Sequence, residues 1–367
     1  MRARYVDAGR GLLVAAMVYG HVMQFFADTQ IFPLAGRLID GINLLVFPSF
    51  VFFFGVTAAL AYLSRPFLQA LPGMVRTVIR AWLAFVLSGV AYRVLRENRV
   101  FGPGTVRRIM WLSDIPGWSE FLVSFALYGL LLIAGFALLR RLTPLAALLA
   151  GAVCVGCCLI PYDRVQPVQL QLIIGGRDFA CFPIVQYMPY FLAGIVYARG
   201  DARTHRRLAG VAALATVVGA LAAMRMGHLP ERFPPHWGYI LLPALGVGSV
   251  VLLSHALCAL GAAEGKGPRR IPGLLCTALM RMGGASLFYL LSSNLVLFTM
   301  AGRGIAPQMA ARSILPWTLP IQSTVGALCW TFVLLLTIAF VRNLAGRGGK
   351  RRTGSIQQQD LGHPVQN

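Results

Sequence analysis

Apolar residues in this chain neither alternate with polar ones nor fall in narrow stripes; they come in long runs, bounded by short clusters of Pro, Gly and Arg. A hydrocarbon layer about 30 Å thick takes roughly 20 helical residues to cross. The pattern predicts about ten such helices. They cover Gly11 to Ala27, Ile39 to Ser64, Val75 to Leu95, Glu120 to Leu139, Pro144 to Ile160, Phe182 to Ala198, Leu208 to Met224, Trp237 to Ala262, Leu274 to Ala301 and Trp317 to Val341. The first run is followed by no small-residue cleavage pattern and leads straight into further spans, so the N-terminus is expected to be retained.

Composition agrees with this reading. Of 367 residues 57% are hydrophobic and 12% charged, where a soluble domain carries about 25% charged residues. The expected architecture is an all-α polytopic membrane protein: a single transmembrane domain over 1–342, then a basic, disordered cytoplasmic tail over 343–367. The net charge of +21 is spread over alternate loops, which points away from nucleic acid and towards anionic lipid headgroups and a phosphorylated cytosolic cosubstrate. Lys and Arg concentrate on the side that holds the N-terminus, which predicts both termini in the cytoplasm. Acidic residues lean to the other side, among them Asp28, Glu97, Asp114, Glu120, Asp163, Asp178 and Glu231. The seven cysteines lie nearly all in apolar runs, which argues against a disulfide framework. Cys154, Cys157 and Cys158 have the local spacing of a metal clip with no second ligand pair, and read as helix packing; no metal is predicted.

Arg10 and His21 stand out in the first span. Eleven helical steps make about three turns plus 20°, so both side chains share one face about 16 Å apart. Arg10 lies at the cytoplasmic mouth and His21 at depth, where a titratable group is costly and function is the default reading. A neutral imidazole suits a general base acting on a hydroxyl. Arg10 keeps its charge and suits phosphate. A charged head with a long reactive arm fits this spacing, and acyl-coenzyme A has that shape. Asp7, one turn before Arg10, is either a helix N-cap or a catalytic group. Arg76 and Arg80, four apart and just after Pro72-Gly73, are read as a second grip on the phosphates at a helix N-terminus. Asp28 and Asp40, near the outer ends of the first two spans, are candidates for orienting His21 or the sugar. The basic loop Arg96 to Trp118 offers Arg96, Arg99, Arg107 and Arg108 with Trp111 and Trp118, either as a sugar or anion surface or as interfacial anchors.

The run Arg4-Tyr5-Val6-Asp7-Ala8-Gly9-Arg10-Gly11, leading into Gly20-His21, resembles the N-terminal signature of the membrane acyltransferase-3 family. Phe52-Phe53-Phe54-Gly55 is similar to that family's second helix and Pro189-Tyr190-Phe191-Leu192-Ala193-Gly194 to a mid-chain helix. The resemblance implies about ten spans in the cell inner membrane. It also implies transfer of an acyl group, commonly acetyl from acetyl-coenzyme A, to a hydroxyl of a surface or lipid-linked glycan. His21 would then be the catalytic residue and Arg10 the second member of the motif. Where the family often carries Tyr and then His three residues on, this chain has Tyr289 and Ser292, so the acceptor stays open. A secondary transporter, with Pro183, Pro189 and Pro243 breaking helices around a site, and a polymerase or ligase of lipid-linked glycans are the other classes the pattern allows.

Overall fold

The computed structural model describes residues 3–177, 180–262, 270–303 and 321–359. Asp178, Lys266, Arg269, the expected start of the last span at Trp317 and the end of the tail lie outside the described residues. Among the described residues the chain is all-helical, without a strand. In chain order the helices are α1 Arg4–Phe26, α2 Pro33–Ala58, α3 Phe67–Ala91, α4 Pro103–Met110, α5 Glu120–Ala134, α6 Phe136–Arg140, α7 Pro144–Gly156 and α8 Val168–Ile174. They continue with α9 Met188–Arg199, α10 Ala202–Met226, α11 Trp237–Leu241, α12 Ala244–Ala262, α13 Arg270–Gly283, α14 Ser286–Gly302 and α15 Thr324–Gln359. Single π-helical turns, Ala59–Leu63 and Tyr92–Arg96, extend α2 and α3.

Five helical segments among the described residues are long and apolar enough to cross a membrane, and six if α13 and α14 count as one bent span. Expectation and structure differ in how the other apolar runs are folded. Leu274 to Ala301, read as one helix, bends by 81° between α13 and α14. The run from Phe182 becomes helical only at Met188, with Pro189 in the first turn of α9, because proline suits a helix start and not its interior. The fourth and fifth runs yield the shorter apolar helices Glu120–Ala134 and Pro144–Leu159. At the C-terminal end α15 continues to Gln359, into the segment read as a tail. Large apolar side chains stand exposed along α3, α7, α10, α12 and α15, including Leu83, Leu149, Leu214, Leu252 and Phe332. A bilayer covers an outward surface of this kind.

At 23 residues, α1 is about 34 Å long, yet with Arg10, His21 and Gln24 in it α1 is not among the five segments apolar enough to cross. It is central, packed against α2, α12, α13, α14 and α15. Small residues let the backbones meet. A Cβ on Gly11 would fall on the carbonyl of Leu279, and one on Gly283 would fall on the carbonyl of Asp7. The same device joins α2 to α9. A Cβ on Gly55 would strike the carbonyl of Phe191, and one on Gly194 would strike the carbonyl of Phe52. The two Phe/Gly stretches singled out in the sequence are thus each other's packing partners, in the small-residue manner of helices that associate in lipid. Around this crossing Phe47, Phe121, Phe125, Phe182, Tyr187 and Phe191 form an aromatic core.

Candidate functional site

Both members of the first-helix pair bond to the same helix. Arg10 donates from Nη2 to Ser286 Oγ at 2.9 Å. His21 Nδ1 meets Asn294 Oδ1 at 3.1 Å. Ser286 opens α14 and Asn294 lies eight residues on, about 12 Å along the axis against about 16 Å between Arg10 and His21. The long arginine side chain takes up the difference. The two helices run in the same direction, with the arginine contact at one end and the histidine contact towards the other.

Asn294 is 3% exposed and is the centre of a polar cluster. Its Nδ2 lies 3.4 Å from Ser88 Oγ and 3.5 Å from the carbonyl of Trp118, and Ser119 Oγ donates to Ser88 Oγ at 3.1 Å. A carbonyl only accepts, so the amide nitrogen faces Trp118 and the amide oxygen faces His21. That orientation assigns the proton of His21 to Nδ1 and leaves Nε2 with its lone pair. The Trp118 ring stands edge-on to the imidazole, 4.9 Å between centroids, and Phe25 stacks on the same indole at 4.4 Å. Trp118 takes φ 67°, a left-handed conformation that costs a residue with a Cβ about 1 kcal/mol or more. The strained backbone puts both its carbonyl and its ring on the site.

His21 lines a cavity of about 250 Å³ at the end of α1 away from Arg10. Gln24 and Asn43, joined at 3.0 Å, add polar groups to its wall. Met17, Val46, Phe47 and Leu290 add apolar ones. Two charged residues complete the lining: Glu120, the first residue of α5, and Arg232, in the loop between α10 and α11. The constellation thus brings together one imidazole with a fixed tautomer, one carboxylate, one guanidinium and three amides.

The other expected residues fall elsewhere. Asp7 is buried in the first turn of α1, whose N-cap position is Ala3, so it is not the cap. Asp28 Oδ1 accepts from the backbone N–H groups of Gln30 and Ile31 at 3.0 and 3.1 Å; it closes its own turn and does not orient His21, a task that falls to Asn294. Asp40 is exposed near the start of α2. The third helix begins at Phe67 and not at Pro72-Gly73, which sets Arg76 more than two turns inside, beyond the reach of the terminal dipole. Arg76 and Arg80 do share a face, as spacing requires. It is the exposed face of Ile79, Leu83 and Leu87, turned away from Ser88 and α14, so they do not converge with Arg10.

The basic loop divides in two. Its first part folds into α4, with Arg107 and Arg108 in the last turn and Phe101, Met110 and Trp111 exposed, an interfacial arrangement. Arg93 bridges Asp114 and Glu97, both at 2.5 Å, and Arg99 pairs with Glu97 at 2.8 Å. Trp118, at the other end, belongs to the cavity. Among the described residues no group of three or more His, Cys, Asp or Glu is placed to hold a metal ion.

The sequence reading gave no role to Ser286, Asn294, Glu120 or Arg232. Glu120, sitting directly before an apolar run, carried the signal of a charged group at a span's end; the others have none until the helices are assembled. No protein-family model, curated protein or solved structure matches the chain.

Proposed function

We propose that the protein is a multi-pass O-acyltransferase of the cell inner membrane, with both termini cytoplasmic and about ten membrane passes once short and bent helices are counted. It moves an acetyl group from cytosolic acetyl-coenzyme A to a hydroxyl of a surface or lipid-linked glycan. One observation carries this reading: Arg10 and His21 lie on one face of α1, both bond to α14, and the far one opens onto a cavity with polar and charged walls.

In this mechanism Arg10 and Ser286 hold the coenzyme phosphates at the cytoplasmic end, with a guanidinium suited to phosphate geometry. The pantetheine arm runs along α1 towards His21. The acceptor enters the cavity from the opposite side. His21 Nε2 takes the proton of the acceptor hydroxyl as that oxygen attacks the thioester carbonyl carbon. The tetrahedral intermediate then collapses: the C–S bond breaks, the ester forms, and the leaving thiolate takes the proton back from His21. Asn294 keeps the proton on Nδ1 and so keeps Nε2 basic. Arg76 and Arg80, on the lipid-facing side of α3, anchor to headgroups.

The test is glycan O-acetylation by mass spectrometry, together with transfer of labelled acetyl from acetyl-coenzyme A by purified protein in nanodiscs, wild type against His21→Ala. Loss of transfer by a well-folded variant supports the mechanism. Wild-type rates overturn it.

A further inference from the structure

The cavity beside His21 holds two charged side chains for which the transfer step has no use. Glu120 is 8% exposed and its Oε2 has no hydrogen-bond partner. Arg232 lies with its guanidinium carbon 4.9 Å and 4.5 Å from the ring centroids of Phe182 and Phe233. Its Nε is buried with no acceptor, and it pairs with no carboxylate among the described residues. All four residues line the one cavity. A buried guanidinium nitrogen with no acceptor and a buried carboxylate oxygen with no donor are each unfavourable. Buried polar groups in folded proteins find partners. A ligand in the cavity that both line would supply both, an anion for the arginine and a hydroxyl for the glutamate. Gln24 and Asn43 stand on the same wall for further hydroxyls.

We propose that this cavity selects a sugar that carries an anionic group, with a carboxylate or phosphate ester bound by Arg232 and a hydroxyl of the same unit donating to Glu120. Naming the bound sugar as the acceptor rests on the acyltransferase reading; the binding preference does not. A phosphate ester would come from a lipid-linked or phosphate-bearing glycan, and a carboxylate from a sugar acid.

The experiment is equilibrium binding to the full-length protein in nanodiscs, with glucuronate, glucose 1-phosphate, glucose and inorganic phosphate as probes. At least one charged sugar should bind about tenfold or more tighter than glucose, since a charge-assisted hydrogen bond accounts for such a factor. Glucuronate in the lead identifies the carboxylate source, and glucose 1-phosphate in the lead the phosphate source. Arg232→Gln, checked for folding by size exclusion and thermal shift, should bring the charged-to-neutral ratio to within about twofold of unity, and Arg232→Lys should keep part of it. The proposal fails if glucose binds as tightly as both charged sugars, if none of the sugars binds, if R232Q keeps the ratio, or if inorganic phosphate alone matches glucose 1-phosphate. A parallel acetyl-transfer assay separates the two readings. Intact preference without transfer to any sugar overturns the acyltransferase and leaves the subsite. Transfer with equal kcat/KM to charged and neutral sugars overturns the subsite and leaves the acyltransferase.

Discussion

Replacing Asn294 by alanine removes the only acceptor that the described residues offer to His21 Nδ1, at 3.1 Å, and leaves that N–H within a half-buried site. An unsatisfied buried donor costs about 1 to 3 kcal/mol. The imidazole escapes part of that cost by moving its proton to Nε2, the atom on which the proposed base catalysis would depend. At 1.36 kcal/mol per tenfold, the same range predicts a fall in kcat of roughly 5- to 150-fold. Arg10 and Ser286 are at the other end of the helix pair, so KM for acetyl-coenzyme A should move by less than about twofold. Steady-state transfer by protein in nanodiscs, with each substrate varied in turn, separates the two parameters. Ser88→Ala, which removes a 3.4 Å contact to the amide nitrogen and the acceptor of the Ser119 hydroxyl but leaves the Asn294–His21 bond in place, serves as a milder control. An N294A protein with undiminished kcat, or one whose defect is wholly a raised KM for acetyl-coenzyme A, refutes the tautomer argument.

Arg10→Ala should raise KM for acetyl-coenzyme A about tenfold or more while Arg76→Ala and Arg80→Ala change it by less than about twofold, because only Arg10 faces α14; initial rates against donor concentration decide this. Gly283→Ala forces a methyl onto the carbonyl of Asp7, where neither backbone can yield cheaply, and should lower the melting temperature by several degrees, read by thermal shift. At the start of α10, Asp201 accepts from the N–H and hydroxyl of Thr204, both at 2.8 Å, and these bonds hold its carboxyl below the usual carboxylate range. A depressed folded-state pKa contributes stability above the unfolded value and loses it as pH falls through the folded one. Wild type and D201A should therefore differ in melting temperature at neutral pH and converge as pH falls below the unfolded carboxylate value of about 3.9.

The first-helix pair was legible because both residues sit on one helix, where angle and rise follow from residue count alone. Their partners were not, since Ser286 and Asn294 lie 276 and 273 residues away and no local pattern relates them. Arg76 and Arg80 show where spacing stops helping: it says that two side chains share a face and is silent on which neighbour that face meets. The aspartates failed differently. Asp28 satisfies itself on nearby backbone, a short-range competition that polar residues at helix ends commonly win. Gly55 and Gly194 were visible as motifs, yet their reciprocal contact with Phe191 and Phe52 required the crossing of two helices. Membrane class came through from composition. Span boundaries did not, because Pro183, Pro189 and the Gly284-Ala285 break divide apolar runs that hydropathy treats as continuous.

The break between α13 and α14 has a mechanical meaning. Because Arg10 and His21 both bond to α14, the direction that helix takes from the 81° corner at its start sets both contacts at once. A displacement of α14 would strain the Arg10–Ser286 and His21–Asn294 bonds together. Under the acyltransferase reading, donor binding at the Arg10 end would be felt through α14 at the cavity beside His21.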